Sequence, residues 1–169
     1  MDLTAVSFIL AALAFLLSLA ALIKTSRNDT ETSISPTNGF DAMPLRLQAY
    51  ERLVLLTERI ALPNLISRLN QPGISAHEMK IILTENIKQE FDYNNTQQLY
   101  VSQVSWDSVR NLKEQNILLV NQVGASLPPT ASAGDLNKKI LELLMAQPDG
   151  ALHELVLQSL NFEAKKLMK

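Results

Sequence analysis

The chain has no cysteine, only five glycines and two histidines among its 169 residues, and no excess of charge of either sign. Without cysteine there are no disulfides, no thiolate metal sites and no thiol nucleophile. That absence is compatible with either side of a membrane. The few glycines form neither G-x-G-x-x-G nor G-x-x-x-x-G-K-[ST], which argues against a phosphate-cradling loop. There is no G-x-S-x-G nucleophile elbow. Lys and Arg number 15 against 17 Asp and Glu, so the basic surface that nucleic acid demands is missing. No internal repeat is present at the spacing of solenoids or propellers.

Both histidines sit in His-Glu pairs, His77-Glu78 and His153-Glu154. Each begins like H-E-x-x-H, and each lacks the second histidine one helical turn on that would supply the other zinc ligand. The plainer reading is a first-turn surface residue, with the glutamate favoured by the helix dipole. Asp149 and His153 are one turn apart, but no serine or cysteine motif accompanies them. No catalytic, cofactor-binding or metal residue is therefore assigned, and the chain is not expected to be an enzyme.

What is present is an apolar run at residues 3–23, LTAVSFILAALAFLLSLAALI, with no charge, proline or glycine over 21 residues. As a helix it spans about 31 Å, close to the roughly 30 Å hydrocarbon core of a bilayer. It reads as one transmembrane helix. A cleaved signal peptide would begin with a basic region and carry a shorter apolar stretch, whereas here the run follows Met1-Asp2. The first basic residues, Lys24 and Arg27, follow the run, so the positive-inside rule leaves the N-terminus outside and the remainder in the cytoplasm. Thr4, Ser7, Ala11, Ala14, Ser18 and Ala21 fall at spacings of 3, 4, 3, 4 and 3. Small residues on one face let two membrane helices approach closely, so these six form a candidate association face.

Residues 25–41 are polar, contain Pro36 and Gly39, and show no period, as a flexible tether would. The organisation expected is an anchor at 1–24, a disordered linker at 25–41 and a helical domain at 42–169. Two glycosylation sequons, at Asn28 and Asn94, matter only if the domain faces a glycosylating lumen.

The domain's first helix is expected from Pro44, with Leu45, Ala49, Leu53, Leu56 and Ile60 on one apolar face and Leu47, Tyr50, Val54 and Ala61 on a second. Glu51-Arg52 and Glu58-Arg59 recur seven apart and read as a solvated strip. Pro63 kinks or restarts the helix, and Asn70-Gln71-Pro72-Gly73 stops it. Ser75-Ala76-His77-Glu78 is a capping box, with Met79, Ile82, Leu83, Ile87 and Phe91 behind it as a core face. Ser102 is an N-cap for a helix holding Val104, Val109, Leu112, Asn116, Ile117, Val120 and Val123, with Gly124 as its stop. Ser132 and Asp135 form another cap, before a stripe of Leu136, Ile140, Leu143 and Leu144. A last helix carries Leu152, Leu155, Val156, Leu160, Ala164 and Leu167. Residues 92–101 fit either a turn or an extended segment. The fold class expected is all-α, with four or five helices behind the span.

The densest unusual cluster is Gln97, Gln98, Leu99, Tyr100, Val101 and Ser102, followed by Trp106. Aromatics beside uncharged polar groups suit a contact surface, so Gln97, Gln98, Tyr100 and Trp106 are candidates for partner binding. The competing reading puts both aromatics in the core. With Val109 and Lys113-Glu114, behind an N-terminal membrane helix, this cluster resembles a family of small uncharacterised bacterial single-pass proteins. The resemblance spans the chain, with its specific part in about 18 residues, and implies a bacterial inner-membrane setting and nothing about catalysis. The function expected is a membrane-anchored, cytoplasmic-facing interaction or scaffold module, binding a protein partner or itself, with no nucleic acid and no cofactor. The alternatives are an enzyme or hydrophobic-ligand site of unrecognised type, or an extracytoplasmic domain behind a signal anchor.

Overall fold

The computed structural model describes residues 41–146 and 152–169. The chain divides into two units, Met1–Asp41 and Ala42–Lys169, and all but one of the described residues lie in the second. The apolar run at 3–23, its small-residue face and the tether fall outside the described residues. Among the described residues no helix is long and apolar enough to cross a membrane.

The described part is all-α, as the periodicity requires. Six α-helices run α1 Met43–Ile60, α2 Leu62–Leu69, α3 Ala76–Tyr93, α4 Gln103–Ser126, α5 Ala133–Met145 and α6 Leu152–Leu167, with a 3-10 helix, η1, at Asn95–Leu99. There are more helices than the four or five expected because Pro63 makes α2 a separate helix. Pro63 brings no N–H and cannot continue α1, so the chain breaks at Ala61, whose ψ is 121°.

Thr57 keeps its ordinary helical partner, whereas the break leaves the carbonyls of Glu58, Arg59 and Ile60 without theirs, and each of these finds another. Thr57 O accepts from the Ala61 N–H at 3.0 Å. Glu58 O accepts from Asn64 Nδ2 at 3.1 Å, and Arg59 O from Arg68 Nη2 at 3.4 Å. Ile60 O accepts from Nδ2 of Asn116 at 2.8 Å, a buried contact from α4. Polar groups in a core are tolerated when paired in this way.

The other helix starts are set by serine caps. Ser75 and Ser132 each accept from the backbone N–H three residues on, and the carboxylates of Glu78 and Asp135 each return to the serine N–H at 2.9 Å. The two capped starts lie side by side. Ser75 and Ser132 pair in an antiparallel bridge, the Ala76 N–H donating to Ala131 O at 2.9 Å and the Ala133 N–H to Ile74 O at 3.0 Å. This joins the loop before α3 to the loop before α5. Gly73 takes a φ of 86° in the first of them, a conformation that favours glycine. Ser102 caps α4, and its N–H donates to the hydroxyl of buried Tyr50 at 3.2 Å, tying the end of the η1 segment to α1.

The core follows the predicted faces. Leu53, Leu56, Ile60, Leu65, Met79, Leu83, Ile87, Leu112, Leu136, Ile140 and Leu160 are buried. α4 is central, touching α1, α3, α5 and α6. Four positions differ from expectation, one of them Leu143, which is exposed on α5. Val104 stands on the exposed side of the first turn of α4, and Leu155 is exposed on α6. Gly124 does not end α4 but lies inside it, where a Cβ would come 2.7 Å from Lys80 Cδ of α3. It serves close helix approach, and α4 ends at Ser126 before Pro128-Pro129.

Two outcomes are expected. Asn116→Ala leaves Ile60 O unpaired in the core and should cost about 1–3 kcal/mol of unfolding free energy, read by urea denaturation. The hydrogen bonds from Ser75 and Ser132 hold Glu78 and Asp135 below the usual carboxylate range. A carboxylate depressed in the native state stabilises above its unfolded value, and that contribution is lost as pH falls through the native one. Thermal midpoints should therefore drop as pH is lowered past about 4. E78Q and D135N should flatten this drop, while Ser75→Ala should cost about 1 kcal/mol at neutral pH.

Candidate functional site

Of the four residues proposed as a partner surface, Trp106 is the correction. It is 4% exposed, its ring 5.0 Å from that of Phe91, with Lys113 Nζ 4.6 Å from the Phe91 ring centre. The large apolar ring fills the crossing of α3 and α4, so it is core. The other three remain nearer the surface. Gln98 donates to Asn95 O at 2.9 Å and Gln97 to Thr96 Oγ1 at 3.4 Å, both contacts inside η1. Tyr100 is 37% exposed and Leu99 75%. The neighbouring Asn94 caps α3, donating from Nδ2 to Glu90 O at 2.9 Å.

The surface feature that the sequence reading passed over lies between α1 and α3. Arg52, Leu55, Leu56 and Arg59 occupy positions i, i+3, i+4 and i+7 of α1, which is one helical face. Asn86, Gln89, Glu90 and Tyr93 occupy the same four positions on α3. The two faces line an open groove of about 520 Å³, with Asn94 also on its wall. Leu56 forms its buried floor. Leu55 and Tyr93 stand out of it, 58% and 78% exposed.

The groove's charges are arranged by the break at Pro63. Arg59 donates to Glu90 Oε1 through Nε at 2.7 Å and through Nη2 as well, and Arg68 Nη2 of α2 lies 3.7 Å from the same oxygen. The paired carboxylate holds the Arg59 guanidinium above its ordinary pKa. Arg52 has no ion-pair partner among the described residues. Leucine, tyrosine and arginine around a concave surface are the side chains that dominate protein contacts.

The histidines do not converge on one place. His153 lies in a depression of about 380 Å³ with Asn111, Gln115, Asn116 and Gln122 of α4, and is the single titratable side chain on its wall among the described residues. His77 borders another, beside Lys80 and Pro128. Among the described residues no three His, Asp or Glu side chains gather as a metal site.

Against this geometry stands one family match. A family of unknown function, DUF7935, matches residues 2–167, and the chain belongs to it. No curated protein and no solved structure matches.

The groove's exposed residues contribute little to folding if they serve contact. Leu55→Ser and Tyr93→Ser should each shift stability by less than about 0.5 kcal/mol, as exposed substitutions do. Leu53→Ala, two residues away but in the core, should cost about 2–5 kcal/mol. Parallel urea melts of the three variants check the contrast.

Proposed function

We propose that this protein is a membrane-anchored interaction module, held in a bacterial inner membrane by residues 3–23 with its helical domain on the cytoplasmic side. The observation that carries the reading is the α1–α3 groove. A domain of 128 residues with a buried apolar core nonetheless leaves Leu55 and Tyr93 standing in solvent beside Arg52 and Arg59. Supporting it is the uncharged 21-residue run before the domain, long enough to span a bilayer. The partner is another protein, and the groove is where it docks. The stripe of Thr4, Ser7, Ala11, Ala14, Ser18 and Ala21 adds a second association face within the membrane.

The test places a photo-crosslinking amino acid at position 55, 93 or, as a control, 138 in the full-length protein in native membranes. Discrete protein adducts from 55 and 93 but not from 138 are expected. Adducts to lipid alone, or equal labelling from all three, would overturn the reading. Alkaline carbonate should leave the full chain in the membrane pellet and release Leu13→Arg, because a central charge raises insertion free energy by about 2.5–3.5 kcal/mol.

A further inference from the structure

Resting on that reading, we infer the chemistry of the occupant: the α1–α3 groove receives an acidic amphipathic segment of a partner protein. Its carboxylate meets Arg52, and its apolar side chains cover Leu55 and Tyr93.

Three observations carry this. The first is shape. Two helix faces, each contributing residues at i, i+3, i+4 and i+7, form an open groove between α1 and α3. That is the geometry in which an amphipathic helix lays its apolar stripe.

The second is charge. Residues 42–169 hold 13 basic and 13 acidic side chains, so the domain as a whole is neutral. The groove is not. Arg52 and Arg59 line it with one carboxylate, Glu90, and one oxygen of Glu90 already serves both Arg59 and Arg68 of α2. Arg52 is left over, exposed at the groove wall. A local positive excess on a neutral domain selects a negative partner and steers its approach.

The third is the kind of base. Between residues 42 and 79 every basic side chain is arginine, at 46, 52, 59 and 68, whereas from Lys80 onward eight of nine are lysine. The guanidinium fork binds a carboxylate through two parallel hydrogen bonds, which a lysine cannot do. A flat anionic bilayer would fit this feature poorly, since the arginines border a concave trough whose far wall carries the uncharged amides of Asn86 and Gln89.

The experiment uses full-length protein in phosphatidylcholine nanodiscs and a phage-displayed library of random 16-residue peptides as the probe. Enriched peptides should share Asp or Glu one helical turn from Leu, Ile or Phe. A synthetic, fluorescein-labelled member should lose about tenfold or more in affinity on R52E, as loss of a paired charge does. Replacing its acid by lysine should restore binding to R52E and weaken binding to the unaltered protein. R52E should melt at the unaltered temperature because Arg52 is exposed and makes no ion pair among the described residues. Failure to enrich any peptide, enrichment without an acid, or indifference to R52E would each overturn the inference. So would displacement of the peptide when phosphatidylglycerol is added to the disc, which would assign the groove to the lipid surface. If positions 55 and 93 crosslink to a protein while the acidic requirement fails, the interaction-module reading stands and only the acidic occupant is lost.

Discussion

The arrangement of the domain depends on how the chain leaves α1. A proline at position 63 removes an amide donor and prevents α1 from continuing, so the carbonyls of Glu58, Arg59 and Ile60 all need partners that the helix cannot supply. The partners chosen determine the neighbouring architecture. Asn116 reaches from the middle of α4 to Ile60 and fixes the height of α4 against α1. Arg68 reaches back from α2 to Arg59 and so comes to lie beside Glu90 of α3. The same local problem thus joins three helices to the end of α1. An uninterrupted helix would have carried Arg68 away from Arg59, and Glu90 at the groove wall would have lost its second guanidinium neighbour.

A second constraint operates at the opposite ends of the helices. The loops before α3 and α5 carry the same device, a serine whose N–H and side chain are held by the carboxylate three residues on. Each box satisfies its own helix start, which leaves the flanking backbone groups of Ile74, Ala76, Ala131 and Ala133 free to pair across the loops. The bridge needs only two such bonds to set α3 and α5 together, and buried Ala76 and Ala133 give the room for that approach. Local capping and long-range pairing therefore support each other, the kind of agreement between levels expected of a sequence with one folded state.

These devices were legible from the chain because their signals are local. A serine with an acid three residues later, a proline inside an apolar period, and the Leu53–Leu56–Ile60 spacing each act over one or two turns. What was not legible depends on neighbours distant in sequence. Gly124 looks like a helix stop, yet its role is set by Lys80, 44 positions earlier. Trp106 suits an interface as well as a core, and only the arrival of Phe91 decides for the core. Arg52 and Arg59 were seen as a seven-residue recurrence and read as a solvated strip. They are indeed exposed, but the meaning of the strip comes from Tyr93 and Glu90 on another helix. Leu55 offered the one available sequence signal, a leucine belonging to neither apolar face of α1.

A shallow groove is a weak site by itself. Two exposed apolar side chains offer only part of the roughly 800 Å² per partner that a stable, freely diffusing pair buries. Such a site becomes effective when both partners are held to the same surface, because tethering replaces a search through solution by one at millimolar effective concentration. The proposed anchor and the groove are therefore not independent features. On the proposed reading, membrane confinement would allow recognition to rest on one spare guanidinium and a pair of apolar contacts, and a low intrinsic affinity would let the complex exchange. The neutral balance of the domain supports this division, since a broadly charged surface would draw nonspecific partners at the membrane, whereas a single positive trough directs them to one place.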